Sequence, residues 1–223
     1  MTDRLTELRD TIDRLDDEIL ALIRRRMKLS ADIIAAKNGA VAYRPGREAK
    51  VVQRLVDQTP EMSPLVIQNI WRQIMTASTA QQDSSLTIAV LKNAEAVASW
   101  HFGGLVRLLV CDDMVAMRAA LDGKATLAFV PVSQADKLAS WMLADSGAHI
   151  MSRTPLFGDG VPAAFIIGKV PADPAAHEVT ILARKDGDAT KLEIRPGRLE
   201  VLPDEDAGTC RIAGVIATGG DTD

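Results

Sequence analysis

The chain has 223 residues, 47% of them hydrophobic and 25% charged, with a formal net charge of −4. That length and apolar content suffice for one large domain or two small ones, and the acidic balance disfavours general nucleic-acid binding. No run approaches the roughly 20 apolar residues of a membrane helix, and Met1 is not followed by the apolar core of a signal peptide. Cys111 and Cys210 are the only cysteines and lie far from each other in sequence, so a cytoplasmic setting without a disulfide scaffold is expected.

Residues 3–38 read as one helix. Its stripe runs Leu5, Leu8, Ile12, Leu15, Ile19, Leu22, Arg26, Leu29, Ile33 at alternating spacings of three and four, apolar at every position but Arg26, which keeps one face turned toward another helix. Thr2 or Asp3 caps its start and Asn38-Gly39 stops it. At 1.5 Å per residue such a helix is roughly 50 Å long, too long to bury in one small domain, so a helix from a second chain is expected. Pro45 opens a second helix carrying Val51, Val52, Leu55 and Val56, and Ser63-Pro64 opens a third with Ile67, Ile70, Trp71 and Ile74 on its apolar face.

Polar residues from Gln81 to Ser85 mark a linker, after which the periodicity changes. Apolar runs at Leu86–Leu91, Leu105–Val110 and Leu127–Val132 alternate with helical stretches at Ala94–Trp100, Asp113–Leu121 and Ser133–Leu143. This alternation predicts a parallel or mixed α/β sheet. Further strands are expected at Ala163–Ile167, Val179–Ala183, Leu192–Ile194 and Cys210–Ala213, with a disordered end from Gly219 to Asp223. The fold class is therefore an all-α three-helix domain at residues 1–82 and an α/β domain at residues 86–218.

Charge is unevenly divided. Residues 1–82 carry 13 Lys/Arg against 11 Asp/Glu, a balance of +2, and the remainder 13 against 19, a balance of −6. The helical part is the expected home of a small anion. Arg26 occupies an apolar slot of the stripe, where an unpaired buried guanidinium costs several kcal/mol (order of magnitude). Either the helix is interrupted there, or the arginine reaches solvent, or an anion meets it. Arg9 precedes Arg26 by 17 residues, about 25 Å along one helix. If two copies pair antiparallel about a two-fold near residues 17 and 18, Arg9 of one meets Arg26 of the other; otherwise Arg9 is a charged flank. Lys37 lies on the same side as Arg26, or serves as a cation at a helix C-terminus. Ser78 and Gln82 follow Ile74 at spacings of four, turning that stripe polar. Arg47 and Glu48 either complete a mixed-charge pocket or form a solvated pair. Together these groups suit holding a dicarboxylate and stabilising charge within it, with no activated nucleophile, metal or cofactor called for.

Several spaced stretches carry a resemblance: Leu8-Arg9-Asp-Thr-Ile12-Asp-Arg-Leu15-Asp16, Arg26, Ala36-Lys37, Tyr43-Arg-Pro-Gly-Arg47-Glu48-Ala and Ile70-Trp-Arg-Gln-Ile74-Met. Residues 5–82 resemble the all-helical chorismate mutases, most closely the mutase domain that precedes a prephenate dehydratase in bifunctional enzymes. The resemblance implies an isomerase without cofactors, an intertwined homodimer, and the rearrangement of chorismate to prephenate in the shikimate pathway toward phenylalanine and tyrosine. It implies that Arg26 and the partner subunit's Arg9 hold the two substrate carboxylates, and that Lys37 and Gln82 bond the ether oxygen. Glu48 would bind the ring hydroxyl, with Arg47 and Ser78 in support. Arg44 departs from the aspartate that many members place before the proline.

The second domain sits where a dehydratase would follow, and Ala128-Phe-Val-Pro-Val-Ser-Gln134 is similar to a strand of that family. The family's glycine-rich start and Thr-Arg-Phe motif are absent; Arg153-Thr154-Pro155 has another order. A degenerate, non-catalytic dehydratase-like domain is expected, with His101, His149 and His177 as structural or surface residues. The rival activities are an isochorismate-pyruvate lyase and a non-catalytic helical dimeriser with a ligand-sensing α/β domain. Binding of nucleic acid through Arg24-Arg25-Arg26 ranks last, because consecutive residues fan around a helix.

Overall fold

The structure, a computed structural model, describes residues 2–36, 42–145, 147–157, 164–203, 206 and 208–220. The chain divides into two compact units, Met1–Ala42 and Tyr43–Asp223. The first holds α1 (Thr2–Ala36), a single unbroken helix, so Arg26 does not interrupt it. Every large apolar residue of its stripe stays exposed, from Leu5 at 50% to Leu22 at 64%. Arg26 itself is half-buried. Lys37 and the Asn38-Gly39 stop lie outside the described residues.

The second unit opens with α2 (Pro45–Gln58) and α3 (Pro64–Gln82), each with proline in the first turn, where the missing N–H goes unneeded. Ser63 stands at the N-cap of α3 but its side chain makes no capping bond. Apolar residues of the two helices, Val52, Val56, Ile67 and Met75, form a small core with Phe157.

A five-stranded mixed sheet follows, in the order β2-β1-β3-β5-β4. Its strands are β1 (Thr87–Leu91), β2 (Arg107–Cys111), β3 (Leu127–Pro131), β4 (His149–Thr154) and β5 (Ala164–Gly168). β1 pairs in parallel with β2 and β3, while β5 runs antiparallel to β3 and β4. The crossovers are α4 (Glu95–His101) and α5 (Met114–Gly123), and α6 (Ala135–Ala144) leads from β3 to β4. Asp113 caps α5 by accepting from the Ala116 N–H at 2.8 Å. β1 and β5 are buried along their whole length, as expected of strands covered on both faces.

A three-stranded antiparallel sheet, β7-β6-β8, completes the unit: β6 (Glu178–Asp186), β7 (Ala189–Pro196) and β8 (Cys210–Ala217). Gly187, at φ 62°, makes the β6–β7 turn, a two-residue hairpin loop of the kind that needs a positive φ. β8 lies close to β4, where a Cβ on Gly214 would overlap the Ile150 carbonyl.

The alternation predicted for residues 86–144 is thus realised as a mixed sheet. β4 is a strand the sequence pattern did not predict, because His149, Ser152, Arg153 and Thr154 dilute its apolar character. The end of the chain also differs from expectation at Gly219 and Gly220. The Gly220 N–H donates to Gln53 Oε1 on α2 at 2.9 Å, and Gly219 packs beside Phe157. Residues 221–223 lie outside the described residues.

Candidate active site

Arg9 and Arg26 both stand on α1 and belong to the first unit; Arg47, Glu48, Ser78 and Gln82 belong to the second. Because α1 is continuous, its 17-residue spacing holds the two guanidiniums of one chain about 25 Å apart along the axis. One chain therefore does not bring both to one small ligand.

Within the second unit, Arg47 and Glu48 occupy the first turn of α2. Arg47 is exposed and Glu48 half-buried. That turn is tied down by Asp173, a residue distant in sequence. Its carboxylate accepts from the Gly46 N–H and the Arg47 N–H, each at 2.9 Å, and lies 3.4 Å from the Arg44 guanidinium. Gly46 is required here, since a Cβ would overlap the Asp173 carbonyl. An anion at a helix N-terminus satisfies otherwise orphaned N–H groups and meets the positive end of the dipole. Asp173 thereby fixes where Arg47 and Glu48 start.

Ser78 and Gln82 lie one turn apart at the C-terminal end of α3. Ser78 is buried and its hydroxyl donates to the Ile74 carbonyl at 3.0 Å, while Gln82 is half-buried as the last residue of the helix. Thus α2 and α3 present the pairs Arg47–Glu48 and Ser78–Gln82 from two helices that share a core.

A second polar cluster, missed in the sequence, lines a cavity of about 80 Å³ in the same unit. Of the predicted apolar face of α3 only Ile67 is fully buried; Ile70 is 47% exposed, and Trp71 and Ile74 are half-buried. The neighbouring face with Gln68, Arg72, Thr76 and Thr79 is buried instead. Burial of polar groups is tolerated when they are hydrogen-bonded. Gln68 Oε1 accepts from the N–H groups of Leu156 and Phe157, both at 2.8 Å. Arg72 donates through Nη2 to Asn69 Oδ1 at 2.5 Å, and through Nη1 to Thr154 Oγ1 and His101 Nδ1, both at 3.4 Å. Its guanidinium carbon lies 4.5 Å from the centre of the Trp100 ring.

Thr154 Oγ1 also bonds His101 Nδ1 at 2.9 Å, and the Tyr43 hydroxyl bonds Ser152 Oγ at 2.8 Å. Burial, reinforced by the Arg72 charge, pushes the His101 imidazole down to about 3. Burial and the Glu48 carboxylate push the Tyr43 phenol well above its usual range. Burial lowers Arg72, an effect opposed by Glu48. The cluster is therefore a cation surrounded by neutral groups, with one carboxylate nearby. The available sequence signal was the i, i+4, i+8 row Gln68, Arg72, Thr76, which an apolar-stripe reading passes over.

Residues 8–83 match the family model described as chorismate mutase type II. Intracellular chorismate mutases from Mycobacterium bovis and from two strains of Mycobacterium tuberculosis are each 42% identical over 62 residues. The match covers 27% of this chain and 59% of the relative, so the chain spans about three-fifths of the length of these proteins. No solved structure matches the chain.

Proposed function

We propose that the helical part, residues 1–82, is a chorismate mutase that acts as a homodimer, and that its product prephenate feeds phenylalanine and tyrosine synthesis. The observation that carries this reading is the family match over residues 8–83, which spans α1, α2 and α3 together. The relatives named above support it over part of their length.

The reaction is an intramolecular [3,3] rearrangement: the ether C–O bond breaks as the new C–C bond forms, and no proton is transferred. What it requires is a compact reactive conformer and stabilisation of the ether oxygen as charge develops there. Arg26 of one chain and the partner subunit's Arg9 hold the two carboxylates. Lys37 and Gln82 donate to the ether oxygen, Glu48 accepts from the ring hydroxyl, and Arg47 and Ser78 support the substrate. The unbroken α1 favours the two-chain site, since one chain separates its Arg9 and Arg26 by about 25 Å. The exposed leucine and isoleucine stripe of α1 supports the dimer in the same way.

In this reading residues 86–218 form a non-catalytic, degenerate dehydratase-like domain. A cytoplasmic location is in keeping with the relatives, which are named intracellular, and no helix of the described residues is long and apolar enough to cross a membrane. The test is direct. The purified chain is expected to convert chorismate to prephenate, followed by chromatography, with isochorismate assayed in parallel. Cleavage of isochorismate to pyruvate with chorismate left unrearranged would overturn the proposal.

A further inference from the structure

The buried face of α3 holds a cation that the mutase reading does not use. Arg72 is 7% exposed, its Nε has no hydrogen-bond partner among the described residues, and none of their carboxylates lies within ion-pair distance. A guanidinium cannot shed its proton, and Glu48, the one carboxylate near it, offsets the cost of its burial only in part. Arg72 is about 80–120° around the helix from Ser78 and Gln82, and so serves a different face.

What Arg72 lines is a cavity of mixed character. Its polar lining includes Tyr43, Thr76 and His101, with Arg153 as a second cation and Glu48 as the one carboxylate. Its apolar lining includes Val52, Met75 and Phe102. The balance of two guanidiniums to one carboxylate favours a single negative charge on an occupant. The volume of about 80 Å³ has room for about six water-sized groups.

We infer that this cavity is a binding site for a small organic monocarboxylate, its carboxylate held by Arg72 and its short apolar body against Val52, Met75 and Phe102. Thr76 and Tyr43 supply further polar contacts from α3 and from the start of the unit. The cavity shares Glu48 with the proposed mutase site, but the inference does not need mutase activity, because it is read by binding alone.

Trp100 gives the experiment its signal, since its ring stacks on the Arg72 guanidinium. Butyrate, with six non-hydrogen atoms, is titrated into the full chain while tryptophan fluorescence is followed, with butyramide as the uncharged isostere at matched ionic strength. Butyrate is expected to give a saturable change with a Kd on the order of 1 mM. Butyramide should bind at least about tenfold more weakly, as a charge-assisted bond requires. Trp100→Phe should abolish the change, and Arg72→Gln should weaken binding by at least about tenfold. No saturable change, equal binding of butyramide, a signal surviving Trp100→Phe, or unchanged affinity in Arg72→Gln would each overturn the inference. The comparison of butyrate with butyramide uses the unaltered chain, so it decides the matter even if Arg72→Gln does not fold.

Discussion

His101 shows how one buried side chain ties stability to pH. Its folded value of about 3 lies below the ordinary 6.5, so as pH falls the unfolded chain takes up the proton first. Stability is full above about 6.5 and is lost progressively down to about 3, by as much as about 1.4 kcal/mol per pH unit from this group. Asparagine keeps an acceptor near the Nδ1 position but does not titrate. His101→Asn is therefore expected to flatten the slope of urea-unfolding free energy between pH 6 and 4, relative to the unaltered chain (about the middle of that window). Asp173 gives a second prediction at this scale. Removing its two N–H acceptor contacts by Asp173→Ala should cost about 1 kcal/mol, read from the denaturation midpoint. A catalytic prediction belongs here too. Arg26→Ala and Lys37→Ala should each lower kcat/KM for chorismate by about 10²–10³-fold or more, with unchanged circular dichroism. Among these residues Arg26 was legible in sequence because it breaks an apolar stripe. Asp173 and His101 were not, because a lone aspartate or histidine acquires meaning only from groups brought to it by folding.

Helix α1 is the element whose sequence speaks most plainly. A three-and-four spacing sustained over its length allows one conformation and one apolar face, and the helix runs from Thr2 to Ala36 with that face exposed. The dimer reading makes two predictions here. Placing charges at the stripe's centre with Leu15→Glu and Ile19→Glu should give monomers in sedimentation and remove mutase activity. Mixing Arg9→Ala chains with Arg26→Ala chains should restore about one good site per heterodimer, measured as recovered turnover after confirmed subunit exchange. The strand β4 marks the opposite limit. Its Ser152, Arg153 and Thr154 line a cavity, and a strand that offers polar groups to a cavity lacks the apolar run by which strands are recognised. α3 lies between these cases. Its existence followed from Ser63-Pro64 and helical spacing, yet of the apolar stripe only Ile67 is fully buried, and a neighbouring polar row is buried as well, since hydrogen bonds from Leu156 and Phe157 offset the burial of Gln68.

At the scale of the molecule, α2 and α3 group with the α/β elements in one compact unit. Apart from Asn69 on the same helix, the hydrogen-bond partners of Gln68 and Arg72, His101, Thr154, Leu156 and Phe157, lie beyond the third helix in sequence. A fragment of residues 1–85 is therefore expected to keep its helices but to lose amide-exchange protection along α3 from Gln68 to Thr79, compared with the full chain. The sequence by itself determined the three helices and the alternation behind the mixed sheet, and it was enough to propose Arg9, Arg26, Lys37, Arg47, Glu48, Ser78 and Gln82 as one polar set. It could do so because periodicity, proline starts and a charge in an apolar slot are local signals, written within a few helical turns. Only the tertiary structure decided which face of α3 is buried, that Asp173 caps α2, and that Arg72 meets His101 and Thr154 in one cavity. These depend on contacts between residues tens of positions apart, where hydrogen bonding and desolvation, not local periodicity, set the outcome.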